Sequence, residues 1–227
     1  MKLETAFPGM ASCPGLPVAS SCIPMDDPDT FRLFALADTA GIDRFDHEDS
    51  LVYLKRLSPD RFAHLVAFQA LNRMSTITTG LMDRYIERRH GRQAALCEIP
   101  SLSSCFVESY GLPLYREQVE RAAVEAAGMG NDDAARFAAA FCRFDETSMP
   151  ALADRFIECA GRRGVDPRAA GEMIAFFGRT ASFTLPGRRL AEFALEGYRL
   201  AWLKSHFRDR FEAMRMEAGA PDPPVPA

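Results

Sequence analysis

Arginine side chains recur at helical spacing in one segment of this 227-residue sequence, and they are its clearest potential ligand-binding feature. Arg84, Arg88 and Arg92 are four residues apart, so on a helix their side chains share one face. Arg89 adds a further guanidinium group beside this stripe. Such a stripe can follow a phosphate backbone. The alternative is a solvated helix face that pairs with Glu87, and the sequence leaves both interpretations open.

A second basic pair, Arg188 and Arg189, lies where a long apolar-periodic segment begins. The periodicity predicts a helix from Arg188 onward, and the backbone N–H groups of a helix N-terminus attract anions. The pair could therefore bind a phosphate together with the helix terminus. The other interpretation is a basic turn that binds no ligand.

Residue types that form nucleophilic or metal centres are present but scattered. The 6 cysteines include no C-x-x-C pair, the 4 histidines are far apart, and no nucleophile motif joins Ser, His and Asp. We therefore predict no catalytic residue, no metal site and no cofactor. The scattered residues are Cys13, Cys22, Cys97, Cys105, Cys142, Cys159, His47, His64, His90 and His206.

The overall charge gives no general attraction to a polyanion. The formal net charge is −4, so any contact with nucleic acid has to come from local basic patches. Hydrophobic residues make up 48% of the chain, which is typical of a globular protein and excludes a wholly disordered one. The first 22 residues contain no continuous apolar region typical of a secretion signal, and no stretch is long enough to span a membrane. We expect a cytoplasmic protein without membrane contact.

Almost every segment between the two ends has helical periodicity, which predicts an all-α fold. Residues 1–22 and 218–227 are rich in Pro with Gly, Ser or Ala, and we expect a flexible leader and a disordered tail there. The body, residues 23–217, is predicted to be one irregular multi-helix domain.

Several helix boundaries can be predicted from local signals. Asp27 followed by Pro28 is typical of an N-cap and first turn, and Gly128 is typical of a helix end. Residues 93–112 are expected to connect helices through turns. The last helix is expected to run without interruption from Arg188 to about Met216.

The order of five segments resembles one protein family. The segment IPMDDPDTFRLFALADTAGI (23–42) is followed by LKRLSPDRFAHLVAFQALNR (54–73), GLMDRYIERRHGR (80–92), YGLPLYREQV (110–119) and GYRLAWLKSHF (197–207). In this order and spacing they are similar to the fingers region of the C-family bacterial DNA polymerases. The resemblance covers roughly residues 23–214 and implies the irregular all-α fold of those fingers.

The resemblance also implies what this sequence lacks. In the family, the metal-binding aspartates lie in a palm upstream of the first matching segment, and only 22 residues precede Ile23, so we expect no palm. Adjacent arginines that hold the incoming triphosphate match Ala138 and Ala139, and a glycine-lysine run matches residues 142–145. A diagnostic Asn-Lys-Ser-His loop matches residues 186–189.

Two basic residues remain at positions that the resemblance matches to family motifs. Arg143 is the basic residue that remains in the run at 142–145, and Arg73 is the one that remains where the family has an Arg-Pro-Gly-Pro turn (73–76). The apolar framework persists around these changes, so we expect a protein that folds but does not transfer nucleotides.

The resemblance implies a role in DNA replication or repair, through DNA, as primer-template or single strand, or through a replication protein. One alternative is the fingers subunit of a split polymerase, active only with a separate palm chain. Another is a pure protein-interaction module. The residues expected to bind nucleic acid are Arg73, Arg84, Arg88, Arg89, Arg92, Arg143, Arg188 and Arg189.

Overall fold

The described part of the chain is helical throughout. The structure is a computed structural model that describes residues 23–143, 145–180 and 185–217, and within these ranges it has no strand. One isolated parallel bridge joins Tyr115 and Leu185. The all-α prediction is confirmed, whereas the predicted leader (1–22) and tail (218–227) lie outside the described residues.

The α-helices of the described residues range in length from 5 to 20 residues. Their bounds are α1 Pro28–Ala35, α2 Glu48–Leu57, α3 Phe62–Leu71, α4 Met74–Thr78, α5 Leu81–Arg89, α6 Arg116–Ala122, α7 Asn131–Arg143, α8 Met149–Arg162, α9 Pro167–Thr180, α10 Gly187–His206 and α11 Arg208–Glu217. A 3₁₀-helix, Pro100–Ser109, precedes α6, and a π-helical turn, Ala123–Ala127, extends α6 to Gly128. The contacts divide the chain into two compact units, 1–69 with 191–227 and 70–190. The single domain predicted over 23–217 stays a prediction.

The first unit is built around phenylalanine rings. Phe45 packs between Phe34 and Phe68, with ring centroids 4.9 and 5.4 Å away, and all three side chains are fully buried. Gly197 in α10 faces this stack, since a Cβ there would lie 2.8 Å from Cδ2 of Phe45. The absence of a side chain at Gly197 therefore lets α10 approach the ring.

The start of α1 follows the sequence prediction. Asp27 is the N-cap, and its carboxylate accepts a hydrogen bond from the Thr30 N–H at 2.8 Å. The Tyr198 hydroxyl of α10 donates to the Pro24 carbonyl at 2.7 Å and accepts from the Asp27 N–H at 3.0 Å. These bonds fix the chain entering α1 to the middle of α10.

A charged cluster joins the end of α10 to the loop after α1. The Lys204 side chain is 1% exposed, and its ammonium group lies 3.0 Å from the Asp38 carboxylate and donates to the Ala40 carbonyl at 3.1 Å. Arg208 in α11 pairs with the same carboxylate. The two cations, and not Asp38's burial, hold the pKa of Asp38 below its usual value, because burial alone would raise it.

The second unit has its own aromatic core, where α7, α8 and α9 meet. Phe137 stacks on Phe156 with ring centroids 5.0 Å apart, and Phe141 and Phe177 approach it edge-on at 5.0 and 6.0 Å. Ala138 is 1% exposed within the same core. The buried residues of α7, among them Phe137, Ala138 and Phe141, thus form the face that packs.

Three expectations about elements were wrong in detail. The last helix is interrupted at Phe207, where the Trp202 ring packs against both His206 and Phe207. Residues 93–112 contain the 3₁₀-helix as well as turns, because Pro100 presets the first turn while the apolar side chains of Leu102 and Phe106 find a buried face. The apolar periodicity also predicts a helix over 78–89, and this helix instead begins at Leu81, after Gly80 takes a φ of 70°.

Candidate functional site

The arginines of α5 occupy different environments, although their spacing is the one that the sequence predicted. The Arg84 side chain is 37% exposed and lies 3.5 Å from a carboxylate oxygen of Glu98. Arg88 is only 9% exposed, and one terminal N–H donates to the Tyr110 carbonyl at 2.9 Å. The two residues are therefore one turn apart but lie at different depths below the surface.

The other two arginines of this segment are held by local partners. Arg92, just beyond the helix end, makes a bidentate pair with Glu87 at 2.7 and 2.8 Å, and this pair raises the pKa of the guanidinium. Arg89 donates to the Nδ1 atom of His90 at 3.2 Å. The pairing with Glu87 is the one named in the non-binding interpretation of the stripe.

The N-terminus of α10 already holds an anion that belongs to the chain itself. The Gly187 N–H donates to both oxygens of Glu117, at 3.1 and 2.9 Å, so a carboxylate from α6 occupies the terminus. Arg188 and Arg189 follow as exposed residues in the first turn. The Gly187 N–H is thus satisfied by a carboxylate of the chain itself.

The two positions that the sequence resemblance aligns with triphosphate-holding arginines, Ala138 and Ala139, lie on α7. Ala138 faces the core and Ala139 the surface, where it lines a shallow depression of about 350 Å³ with Arg136 and Arg143. Arg136 pairs with Asp133 at 2.5 Å, and Arg143 is exposed. The lining of the depression thus combines two arginines with small side chains and one carboxylate, that of Asp145.

The loop that follows α7 is organised by one carboxylate. Asp145 accepts a hydrogen bond from the Ser148 N–H at 3.1 Å, and the Ser148 side chain and backbone lower its pKa. The negative charge of Asp145 therefore lies close to Arg143, whose charge lowers that pKa further.

Arg73 lies at the N-cap position of the short helix α4. Its Nε–H donates to the Ala70 carbonyl at 3.0 Å, and burial lowers the pKa of its guanidinium group. The next residues contribute hydroxyl contacts, since Thr76 donates to the Arg73 carbonyl at 2.8 Å. Arg73 is therefore fixed to the backbone of its own turn.

Comparisons with known proteins agree with these segments. A family model for the bacterial DNA polymerase III alpha subunit finger domain matches residues 10–164. The chain belongs to this finger-domain family. The family match includes the positions of α1 to α8, and with them the α5 arginines and the depression beside Ala139.

Full-length relatives extend the match toward the end of the chain. The DNA polymerase III alpha subunit of Vibrio cholerae is 31% identical over 209 residues, covering 89% of this chain and 18% of that protein. The corresponding subunit of Haemophilus influenzae is 30% identical over 203 residues, covering 86% of this chain and 17% of that protein. Error-prone DNA polymerase 1 of Agrobacterium fabrum is 28% identical over 223 residues, covering 93% of this chain and 20% of that protein. The finger-domain chain thus spans about a fifth of the length of the curated relatives it matches.

The described residues contain neither a candidate metal site nor a helix that could span a membrane. In residues 23–143, 145–180 and 185–217, no group of three or more His, Cys, Asp or Glu side chains could hold a metal ion. Within the same ranges, every helix is too short or too polar to cross a lipid bilayer.

Sequence reasoning missed two carboxylates that shape the basic surface. Glu117 reaches Gly187 across 70 residues, and Glu98 pairs with Arg179 across 81 residues. No local signal marks either residue, because their partners become neighbours only when the helices pack. The eight arginines predicted to bind nucleic acid stay a prediction, now with defined surroundings.

Proposed function

We propose that this finger-domain chain acts in DNA replication or repair by binding DNA through local arginine clusters, and that it does not hold a nucleoside triphosphate. The main support for the absence of triphosphate binding is the burial of Ala138. This position matches one of the family's adjacent arginines, and here it is part of the phenylalanine core with 1% of its surface exposed.

The burial of Ala138 matters because a charge cannot simply be restored there. An unpaired guanidinium placed in an apolar core would lose its hydration, at a cost of several kcal/mol. The α7 helix has therefore adapted its packing to the small side chain. The partly exposed neighbour, Ala139, lines the depression but contributes no cation to it either.

The first half of the proposal is supported by where cations remain. Arg143, Arg188 and Arg189 are exposed, and Arg84 is partly exposed. With a net charge of −4 the chain has no general attraction to DNA, so these local groups would have to supply the contacts. Phosphate contacts of this kind position a duplex or a single strand without reading its sequence.

The test is a fluorescence-anisotropy titration of the full 227-residue chain against labelled primer-template and single-stranded DNA over a salt series. Binding is expected at low salt, and the logarithm of the affinity should fall linearly with the logarithm of the salt concentration. The slope should be about −0.9 per duplex phosphate contacted and about −0.7 for a single strand.

Two results would contradict the proposal, each pointing to an alternative role. Absence of DNA binding at the lowest salt would remove it and leave a protein-interaction module. Nucleotide incorporation after a separate palm-bearing polymerase chain is added would instead indicate the fingers subunit of a split polymerase.

A further inference from the structure

Two arginines from distant parts of the second unit share a single carboxylate. Arg84 of α5 lies 3.5 Å from one oxygen of Glu98, and Arg179 near the end of α9 lies 3.4 Å from the other. The side chains of Arg84, Glu98 and Arg179 are 37%, 45% and 61% exposed, so the group is open to solvent. Charge-assisted N–H···O bonds are usually about 2.7–2.9 Å long, and both of these pairs are looser.

A third guanidinium group lies beside this pair and is nearly buried. Arg88 is 9% exposed and close enough to Arg84 and Glu98 for both charges to act on it. Burial, followed by the like charge of Arg84, lowers the pKa of Arg88. One terminal N–H reaches the Tyr110 carbonyl, but the Nε–H has no hydrogen-bond partner among the described residues.

The charges of this cluster do not balance. Two guanidinium groups contact one carboxylate and a third lies within reach of its charge, while burial raises the pKa of the adjacent Cys97 thiol, so the thiol stays neutral. The cluster therefore carries a net charge of about +2 in a chain whose net charge is −4. A buried donor without a partner is uncommon in folded proteins and costs about 1–3 kcal/mol, and a bound anion would satisfy it.

We propose that Arg84, Arg88 and Arg179 form a site for a phosphate group, which competes with Glu98 for the two outer guanidinium groups. Planar guanidinium groups bind phosphate oxygens in pairs, and three of them converge here from two helices. The ligand is a phosphoryl group, supplied either by a DNA backbone or by a small phosphoryl compound. In the first case the site deepens the DNA-binding function proposed above, whereas the second does not depend on it.

The site includes a residue outside the predicted binding set. Arg179 is 81 residues from Glu98, and Arg84 and Arg88 were predicted as part of a stripe with Arg92. In the structure, Arg92 pairs with Glu87, so the stripe divides. Arg84 shares Glu98 with Arg179 of α9, and Arg88 lies beside them. The charge of Arg92 is instead neutralised by Glu87.

The first experiment measures phosphate binding directly, with pyrophosphate as the probe. Isothermal titration calorimetry of the full chain at low salt is compared with Arg179→Gln, Arg84→Gln and Glu98→Gln. Loss of one charge-assisted contact should weaken the affinity by about tenfold in each arginine variant. Glu98→Gln should bind several-fold more tightly, since the competing carboxylate is removed.

The control is Arg168→Gln, on the same helix as Arg179. Arg168 is 89% exposed and pairs with Glu172 one turn along, so its substitution should leave pyrophosphate binding unchanged. Thermal unfolding of each variant shows whether a loss of binding reflects unfolding instead. If Arg179→Gln does not fold, Arg84→Gln and Glu98→Gln still decide the result.

The second experiment repeats the DNA titration with the same variants. Weaker DNA binding by Arg179→Gln, with a salt slope reduced by about one, would identify the ligand as a DNA phosphate. Unchanged DNA binding with weakened pyrophosphate binding would identify a small phosphoryl compound. Pyrophosphate binding that is absent, or unchanged in all three cluster variants, would overturn the site. A chain that binds pyrophosphate but no DNA would contradict only the proposed function.

Discussion

Ala138 and Ala139 are neighbours in sequence but differ in what their positions can accept. Position 138 lies in the aromatic core, and position 139 lines the basic depression. The two positions therefore separate what an arginine would do to the fold from what it would do in the depression.

We expect Ala138→Arg to destabilise the fold by about 3–5 kcal/mol, because it buries an unpaired charge. Ala139→Arg, on the exposed side of the same helix, should change the free energy of unfolding by no more than about 1 kcal/mol. Urea denaturation measures both values. Equal stabilities would mean that the core around Ala138 can open toward solvent.

Asp38 gives the first unit a pH-dependent contribution to stability. Its folded pKa lies below the unfolded value of about 3.9, so its stabilising effect is fully present above that pH and is lost as pH falls through the folded pKa. Asp38→Asn leaves the buried Lys204 without its carboxylate and should cost about 1–3 kcal/mol at pH 7.

The deficit of Asp38→Asn should shrink as the pH is lowered below about 4, because the wild-type carboxyl then becomes neutral as well. Chemical denaturation across a pH series measures this trend. The matched control is Asp43→Asn, whose pair with Arg44 is exposed and should contribute little at any pH. A deficit that stays constant down to pH 2 would contradict this account of Asp38.

At the level of helices, two glycines with the same secondary structure have opposite roles. Gly197 in α10 faces the ring of Phe45, whereas a Cβ at Gly171 in α9 would meet nothing within 4 Å. Replacing a glycine in a helix with alanine normally stabilises the helix. The packing at Gly197 reverses this expectation.

Gly171→Ala should stabilise the protein by about 0.5–1 kcal/mol. Gly197→Ala should destabilise it by about 1–3 kcal/mol, since Phe45 is held between two other buried rings and cannot move aside. Thermal and urea unfolding measure the difference. A stabilising Gly197→Ala substitution would show that α10 can shift away from the stack.

The helical elements were largely predictable, and the reason is local. Asp27 and Pro28 mark the start of α1, Gly128 ends the segment after α6, and Pro167 opens α9. Each signal depends on a dihedral preference or a cap that acts within one turn.

The arrangement of the basic surface was not predictable in the same way. A charged side chain such as that of Arg88 is expected at the surface, yet this one is buried, with Tyr110 and Cys97 close to it. The carboxylates that neutralise or position arginines, Glu117 and Glu98, come from distant segments. Such pairs form only when distant segments pack together, so no local sequence pattern predicts them.

At the scale of the whole molecule, binding to a polyanion competes with a net charge of −4. DNA affinity should therefore depend on a few arginines and be strongly sensitive to salt. Replacing Arg188 and Arg189 together with Gln should lower DNA affinity at low salt and reduce the magnitude of the salt slope by about two. The same anisotropy titration measures this, with Arg168→Gln as the control.

A salt slope unchanged by the double substitution would exclude the first turn of α10 from the DNA contact. It would leave Arg84, Arg143 and Arg179 as candidates for the contact. Such a result would remove Arg188 and Arg189 from the DNA contact without contradicting DNA binding by the protein.

The most direct test of the central claim adds a nucleotide to the DNA titration. Anisotropy of labelled primer-template DNA is measured with and without the next templated deoxynucleoside triphosphate and Mg²⁺. The account predicts salt-sensitive DNA binding whose affinity the nucleotide leaves unchanged. DNA binding that tightens specifically with the templated nucleotide, or no DNA binding at the lowest salt, would contradict it.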